Sequence, residues 1–272
     1  MKKVFLFSII LASIIALTIP AMGTETKVAE GSTIAKALKR GTLIVGMDIF
    51  VPWAMKDKKG NLVGFEIDVA KKLAKDMGIE VEFVPTKWDG IIPALLTKKF
   101  DVIIGSMSIT EKRKTKVDFS DPYEYAGMSI VAHKKKAPGL SSLKEFNQPD
   151  FEIAVKMGTT AETAAKKMIP KAKLRRFQDE AQAYQELRNG NVHAVVGSMP
   201  KPAYEAAEYE ETLYLPLEGT FTKEPIGFAV RKKDPTTVTY FNEWIAKNWE
   251  NGFLQERFDY WFRTLEWESM VK

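Results

Sequence analysis

Two short motifs in this sequence have the residue types and spacing of an anion-binding helix start. Ser108-Ile-Thr-Glu111 and Thr159-Thr-Ala-Glu162 each follow a β-like run. A hydroxyl residue with a glutamate three positions later is typical of a capping box, which predicts a helix N-terminus. Unpaired N–H groups and the helix dipole favour a negative charge at such a terminus. Each motif therefore predicts either an anion site or simply a stable helix start.

Arg113 lies two residues after the first motif, where a bound anion would be within its reach. A guanidinium can hold a carboxylate through two parallel hydrogen bonds. The surrounding run Glu111-Lys-Arg-Lys114 is also typical of a solvated helix surface. From its neighbours alone, Arg113 is therefore either a carboxylate ligand or a surface residue.

Aromatic and acidic residues at predicted strand ends add a second kind of candidate. Phe50, Trp53 and Trp88 come just after strands, in loops and outside any helical stripe. Flat apolar walls are common in small-molecule pockets, although these rings could equally pack in the core or hinge. Asp48 ends its strand, where it could bind a ligand ammonium or a loop amide. These residues predict a small-molecule pocket at the strand ends.

The composition excludes several kinds of site. The chain has no cysteine and only two histidines, so a disulfide framework, a thiolate metal site or nucleophile, and a histidine-based triad are poorly supplied. We expect no cofactor and no metal. Nucleic-acid binding would require clustered basic residues, and 40 basic residues against 35 acidic ones form no basic block.

The N-terminus predicts secretion. Lys2 and Lys3 precede an uncharged run over residues 4–19, and Ala21-Met-Gly23 follows Pro20 as a small-residue cleavage pattern. This run is short for a bilayer span, so residues 1–23 are predicted to be a signal peptide cleaved near Gly23. Without a cysteine to carry a lipid anchor, the mature protein is expected to be soluble in the periplasm.

Short β-rich runs alternate with amphipathic helical patterns along the chain, which predicts an α/β fold with mostly parallel sheets flanked by helices. The predicted strands span residues 42–46, 81–84, 101–105, 128–132, 151–155, 194–197 and 227–230. The predicted helices span residues 64–77, 91–96, 162–168 and 181–189, with a long aromatic helical region over 236–262. Because ligands bind beyond the carboxyl ends of parallel strands, both capping motifs are expected at such an edge.

The repetition of this rhythm predicts two lobes joined by two hinge strands. We interpret residues 128–132 and 226–230 as the segments that cross between the lobes. The first lobe is then discontinuous, comprising residues 24–130 and 227–272, and the second comprises residues 131–226. A double crossover favours hinge bending, because only two segments change conformation when the lobes close.

Seven motifs at family spacing give the chain a clear resemblance. They are Gly46-Met-Asp48 with Pro52-Trp53, Gly64-Phe-Glu-Ile-Asp-Val-Ala70, Ile91-Ile-Pro-Ala-Leu95, Ser106-Met-Ser-Ile-Thr-Glu-Lys-Arg113, Val117-Asp-Phe-Ser-Asp-Pro-Tyr123, Lys156-Met-Gly-Thr-Thr160, and Gly252-Phe-Leu with Tyr260-Trp-Phe262. Over essentially the whole mature chain, the sequence resembles the extracellular solute-binding proteins of polar amino-acid ABC importers. These have the two-lobed type II periplasmic binding fold, and the closest resemblance is to lysine- and arginine-binding proteins.

The resemblance implies a role for each site residue. Arg113 would pair with the ligand α-carboxylate, together with the N–H groups of Ser108 and Thr160. The remaining implied contacts are Ser106 and Gly105 to the α-ammonium, Phe50 and Trp88 around the side chain, Asp48 at its polar end, Met157 on the second-lobe wall, and Thr159 at the helix start. The implied partners are an amino acid or related carboxylate and a membrane permease, and a monomer is expected.

Two positions depart from the family pattern. The aspartate that usually holds the α-ammonium is replaced by Ser198, and a glutamine found in some relatives is replaced by Ala161. A hydroxyl cannot replace a charge-assisted hydrogen bond, worth roughly 1.5–3 kcal/mol. Either Asp48 supplies the counter-charge or the ligand has no free α-ammonium there.

Two other functions share this fold. Cyclohexadienyl dehydratases resemble the chain but place a catalytic acid where Lys201 lies here, so catalysis is not expected. A sensor module would need a transmembrane helix or a further domain beyond Phe262, where the sequence has only residues 263–272. Solute binding for import is therefore the predicted function.

Overall fold

The structure is a computed structural model that describes residues 28–271. The predicted signal peptide, residues 1–23, lies outside the described residues. Within residues 28–271 the strands are β1 (Thr42–Met47), β2 (Met55–Lys56), β3 (Leu62–Val63), β4 (Glu80–Pro85), β5 (Val102–Ile103), β6 (Val117–Phe119), β7 (Glu124–Ala126), β8 (Met128–His133), β9 (Glu152–Lys156), β10 (Lys173–Phe177), β11 (Ala194–Ser198), β12 (Leu213–Tyr214), β13 (Glu224–Ile226) and β14 (Ala229–Arg231).

Helices alternate with these strands, as the sequence rhythm predicts. They are α1 (Thr33–Arg40), α2 (Phe65–Asp76), α3 (Ile91–Leu96), α4 (Glu111–Lys114), α5 (Leu143–Phe146), α6 (Thr160–Met168), α7 (Glu180–Arg188), α8 (Lys201–Glu208), α9 (Pro235–Glu250), α10 (Phe253–Phe258) and α11 (Glu268–Val271). A 3₁₀ turn at Trp88–Gly90 precedes α3, and a π turn at Asp259–Arg263 follows α10. No helix of residues 28–271 is both long and apolar enough to cross a bilayer.

The first sheet has the strand order β4-β1-β5-β14-β6. β1 runs parallel to β4 and β5, and β14 runs antiparallel to both of its neighbours, so four strands share one direction. The C-terminal aromatic helices pack on this lobe through α2. The indole N–H of Trp244 donates to Asp76 at 2.8 Å and that of Trp261 donates to Asp68 at 2.8 Å. The end of the chain therefore belongs to the first lobe.

The second sheet repeats this arrangement, with the order β10-β9-β11-β8-β12. β9 runs parallel to β10 and β11, whereas β8 runs antiparallel to β11 and β12. Its core includes Ile130, Ile153, Val155 and Val196, all buried. The α/β fold with two mostly parallel sheets is therefore confirmed.

The predicted crossing strands, residues 128–132 and 226–230, are wrong in position. β8 is buried along its whole length and pairs on both sides inside the second sheet. β14 lies inside the first sheet. The chain crosses instead through β7 and β13, which pair with each other as a separate antiparallel ribbon. An apolar run identifies a buried strand, but it does not say which sheet that strand joins.

Candidate functional site

A cavity lies between the two lobes and is lined by residues of both. Both sheets contribute the carboxyl ends of parallel strands to it, which is where ligands bind in open α/β sheets. The structure brings together ten of the eleven predicted site residues in its wall, namely Asp48, Phe50, Trp88, Gly105, Ser106, Ser108, Arg113, Thr159, Thr160 and Ser198.

Met157 is the predicted site residue that the cavity wall does not include. It directly follows β9, where successive side chains point to opposite faces. Its neighbour Lys156, the last residue of β9, lines the cavity instead. The second-lobe wall is formed here by an ammonium group and not by a thioether.

Arg113 is a cavity-lining cation without a carboxylate partner. Its guanidinium donates to the Ser108 carbonyl at 2.8 Å and lies 5.4 Å from the centre of the Trp88 ring. Within residues 28–271, no ion pair involves Arg113. Burial lowers the pKa of Arg113 to about 10, and the charge of Glu224 opposes this only in part. The guanidinium is therefore charged at neutral pH, partly desolvated, and available to an anion in the cavity.

The second motif starts a helix as predicted, with the glutamate bonded to the residue before the N-cap. The Thr159 hydroxyl accepts from the Glu162 N–H at 3.3 Å, and the Glu162 carboxylate accepts from the Gly158 N–H at 2.9 Å. Thr159 is thus the N-cap of α6, and the first-turn N–H groups of this helix lie at the cavity edge.

The first capping box does not form. The N-cap of α4 is Thr110, whose hydroxyl accepts from the Arg113 N–H at 3.2 Å. Ser108 instead forms an isolated bridge with Ile226, and its hydroxyl lies 3.3 Å from that of Thr160 in the opposite lobe. Pairing with a strand far along the chain holds Ser108 extended, so the helix starts two residues later than the motif predicts. The argument for two matching helix-start anion sites is lost, and α4 has only four residues.

A buried carboxyl group behind the cavity holds Ser106 in place. Ser106 has a φ of 54°, which is uncommon for a residue with a side chain. Its N–H donates to Glu66 Oε1 at 2.6 Å, and the Tyr123 hydroxyl donates to the same oxygen at 2.6 Å. Burial raises the pKa of Glu66 to about 8. Backbone strain at a cavity wall, supported from behind, indicates a preorganised site.

The raised pKa of Glu66 predicts that the stability of the folded protein depends on pH. A single substitution at Glu66 should remove this dependence. The unfolded carboxyl ionises near its ordinary pKa of 4.5, whereas the folded one ionises near 8. Between these values the folded state binds more protons, so stability falls as the pH rises, by roughly 2–4 kcal/mol. Tyr123 and Ser106 favour ionisation, and Glu124 opposes it.

We expect Glu66→Gln, which keeps a carbonyl acceptor, to flatten this dependence. Thermal unfolding at pH 5 and pH 8 measures it, with Glu256→Gln as an exposed control. Tm should fall between pH 5 and pH 8 by several degrees more in wild type than in Glu66→Gln. Parallel changes in the two proteins would show that Glu66 does not titrate with a raised pKa.

Asp48 does not face the cavity as a free carboxylate. Its Oδ2 accepts from Lys156 Nζ at 2.6 Å, and the two side chains are only 13% and 9% exposed. Asp48 follows β1 in the first lobe, and Lys156 ends β9 in the second. The pair therefore bridges the lobes at one end of the cavity.

Glu180, the first residue of α7, is an acid in the cavity wall that the sequence reasoning missed. A Cβ added to Gly197 would lie 3.6 Å from Glu180 Oε1, so the carboxylate lies beside the backbone just before Ser198. Within residues 28–271, no hydrogen bond or ion pair involves this carboxylate. Burial raises the pKa of Glu180 to about 7, and the charges of Lys156 and Lys201 lower it in part.

Ser198 is buried, and its hydroxyl lies 3.4 Å from the carbonyl of Met199. It provides no charge to the cavity, as its residue type predicts. Ala161 also lines the cavity without a polar side chain. Both departures from the family pattern therefore lie in the cavity wall.

The aromatic candidates divide into wall and core. Phe50 and Trp88 line the cavity. Trp53 is 2% exposed and packs edge-on against Phe65 and tilted against Phe262. Trp53 is therefore a core residue of the first lobe, while the other two present apolar surface to a ligand.

The lobes are closed on each other around the cavity. Besides Asp48 with Lys156 and Ser108 with Thr160, an ion pair joins Lys87 of the first lobe to Asp179 of the second. The Arg113 guanidinium also reaches the Gly158 carbonyl, at 3.4 Å. Within residues 28–271, no cluster of histidine, aspartate and glutamate has the arrangement of a metal site.

Lys156 and Glu180 carried signals that sequence reasoning could have used. Lys156 is the last residue of a parallel strand, the same position that identified Asp48 at the end of β1. Glu180 opens a helix after another strand end, and α7 points its first turn at the cavity. A search for charged residues at every strand end would have found the lysine. The position of Glu180 in the cavity wall depends on how α7 packs, which a local sequence pattern does not show.

The sequence matches a known protein family over most of its length. Residues 43–264 match the bacterial extracellular solute-binding proteins, family 3. The L-cystine-binding protein TcyJ of Escherichia coli is 29% identical over 253 residues, which are 93% of this chain and 94% of that protein. Cyclohexadienyl dehydratase of Pseudomonas aeruginosa is 24% identical over 238 residues, covering 86% of this chain and 87% of the enzyme.

Solved structures show the same two-lobed fold. The ancestral amino acid-binding protein AncCDT-1, a precursor of cyclohexadienyl dehydratase, is 46% identical with a TM-score of 0.77, covering 85% of this chain and 99% of that one. A binding component of an ABC transporter from Wolinella succinogenes, complexed with lysine, is 38% identical with a TM-score of 0.79, covering 85% and 99%.

Proposed function

We propose that this chain, which belongs to the bacterial extracellular solute-binding proteins of family 3, captures an α-amino acid in the periplasm and delivers it to an ABC transporter permease. In this proposal the solute lies in the cavity between the lobes. Several relatives are binding proteins for amino acids, among them cystine and lysine.

The observation that carries this proposal is the guanidinium of Arg113, which lines the cavity and has no acidic partner among residues 28–271. A desolvated cation without an acidic partner is unfavourable, and a ligand carboxylate would satisfy it with two charge-assisted hydrogen bonds. The N–H groups at the start of α6 lie across the cavity from it, because Thr159 and Thr160 line the opposite wall. Arg113 and α6 together suit one carboxylate.

We further propose that Glu180 supplies the negative charge for the α-ammonium. Asp48 is already paired with Lys156, so it is not free for that role. Within residues 28–271 Glu180 has no hydrogen-bond or ion-pair partner, and it lies beside Gly197, which precedes Ser198. Gly105 and Ser106 contribute a carbonyl and a hydroxyl in the same wall. The acid missing at position 198 is then replaced from a helix.

An enzyme on this fold is the second candidate, and one observation favours it. A carboxyl group whose pKa is raised to about 7 inside a cavity is a suitable general acid, and Glu180 is such a group. Lys201, where the related dehydratases would have their acid, forms an ion pair with Glu205 at 2.6 Å instead. Turnover of prephenate or arogenate by the purified protein would establish this alternative.

A thermal-shift screen of residues 24–272 against the amino acids and small carboxylates tests the proposal. A ligand that binds only the native state stabilises it by about 2.7 kcal/mol at 100 times its Kd. For a chain of this size, Tm should rise by about 5–10 °C with the right amino acid. No shift with any amino acid would contradict the proposed function.

A further inference from the structure

We propose that Lys156 selects against cationic side chains, so that the solute is an α-amino acid with an uncharged side chain. This inference rests on the proposed function and names the substrate class of the same cavity. The resemblance to lysine- and arginine-binding proteins predicts a basic ligand instead. Binding measurements with basic and uncharged amino acids therefore distinguish the two expectations.

The inference starts from the contact between Lys156 and Asp48. Lys156 Nζ lies 2.6 Å from Asp48 Oδ2 and 5.9 Å from the centre of the Trp88 ring. The ammonium therefore already occupies the position at the acid and the aromatic ring that the charged end of a basic ligand would take. Both side chains are about nine-tenths buried, so water does little to screen a second cation there.

A lysine or arginine side chain that extends between Phe50 and Trp88 would place its charge against the Lys156 ammonium. Either both cations would share the Asp48 carboxylate, or the Lys156 ammonium would have to move to a position without a negatively charged partner. Breaking a buried ion pair in this way is strongly unfavourable. Lys156 ends β9, whose backbone pairs with strands on both sides, so the strand itself cannot withdraw.

The charges of the cavity wall lead to the same conclusion. Its ionisable residues are Asp48, Arg113, Lys156 and Glu180, two acids and two bases. With Lys156 and Asp48 paired, the remaining cation and acid match the carboxylate and ammonium of one zwitterion. A basic side chain would leave one positive charge in excess, and an acidic one would leave a negative charge beside Asp48.

The bridging pair can bind an uncharged polar group at the end of the ligand side chain. An ammonium has three N–H donors, and within residues 28–271 Lys156 uses only one of them in a hydrogen bond, to Asp48. The carboxylate likewise has acceptor capacity left. A side-chain amide could accept from Lys156 and donate to Asp48, so glutamine is a suitable probe.

Calorimetric titration of residues 24–272 with glutamine, leucine, glutamate, lysine and arginine tests the inference. We expect the wild-type protein to bind an uncharged amino acid at least about 100-fold more tightly than lysine or arginine. In Lys156→Met, which frees Asp48, affinity for lysine and arginine should rise by at least about tenfold. Lys156→Gln, which keeps a hydrogen bond to Asp48, gives the same test if the methionine variant does not fold.

Lys87→Met is the matched control, since it removes the other lysine of an ion pair between the lobes without changing the cavity wall. It should alter the affinity for all ligands in parallel. Wild-type binding of lysine or arginine within tenfold of the best uncharged ligand would overturn the inference while leaving the proposed function intact. An unchanged ligand order in both Lys156 variants would also overturn it. Binding of no amino acid would contradict the proposed function itself and the inference with it.

Discussion

We expect Arg113→Ala to weaken binding of the solute by at least about 30-fold without unfolding the protein. The guanidinium lines the cavity and has no acidic partner in residues 28–271, so its charge serves the ligand. Truncating one partner of a buried charge pair costs about 2–5 kcal/mol, which is roughly a 30- to 5,000-fold loss of affinity. Calorimetry with the amino acid that gives the largest thermal shift measures this loss.

Lys112→Ala is the matched control, because it removes an exposed cation from the same short helix. It should leave the affinity within about twofold. Arg113→Lys keeps the charge but loses the two-donor geometry, so its affinity should fall between wild type and the alanine variant. Wild-type affinity in Arg113→Ala, with the fold intact, would eliminate the carboxylate site.

Glu180→Gln should weaken binding of amino acids by about 10- to 100-fold, because a charge-assisted bond to the α-ammonium becomes a neutral one. The same solute without its amino group should bind both proteins alike. Since burial raises the pKa of Glu180 to about 7, only a minor fraction is ionised at pH 6 and most is ionised at pH 8. Wild-type affinity should therefore rise about tenfold from pH 6 to pH 8.

This pH dependence should be absent in Glu180→Gln. The charged groups around Glu180 are Lys156, Lys201, Glu205 and Asp48, and all remain in the variant. Glu186→Gln serves as control, since Glu186 lies on the same helix but pairs with Arg175 at 2.9 Å. Ser198→Asp in the Glu180→Gln background should restore affinity if the solute carries an α-ammonium. Equal pH profiles for wild type and Glu180→Gln would show that Glu180 is not the counter-ion.

Much of the fold follows from local sequence. The prediction for residues 91–96 coincides with α3. The predicted bounds differ from those of α2 by one residue at each end and from those of β1 by one residue at its end. Apolar periodicity is a local signal and is read correctly from a short window. Which sheet a strand joins depends on residues far apart in the chain. For that reason the sequence predicts a hinge at residues 128–132, whereas β8 lies inside the second sheet.

The site was predictable where strand ends determine it. Asp48 ends its strand and Arg113 follows the first motif, and both line the cavity. Local sequence leaves two interpretations for each of them, and the family resemblance favours the ligand role. The first capping box failed because Ser108 and Thr110 can both cap α4, and pairing with Ile226 decides between them. The ion pair of Lys156 with Asp48 requires closure of two lobes, so no local pattern in either lobe could indicate it.

The proposed binding mode places an amino acid in the cavity between the lobes, held by its carboxylate. A crystal structure of residues 24–272 with the amino acid that gives the largest thermal shift would show this mode. We predict both α-carboxylate oxygens within hydrogen-bond distance of the Arg113 guanidinium, the α-ammonium facing Glu180, and the side chain between Phe50 and Trp88. A solute bound with its carboxylate away from Arg113, or outside the cavity between the lobes, would contradict the account.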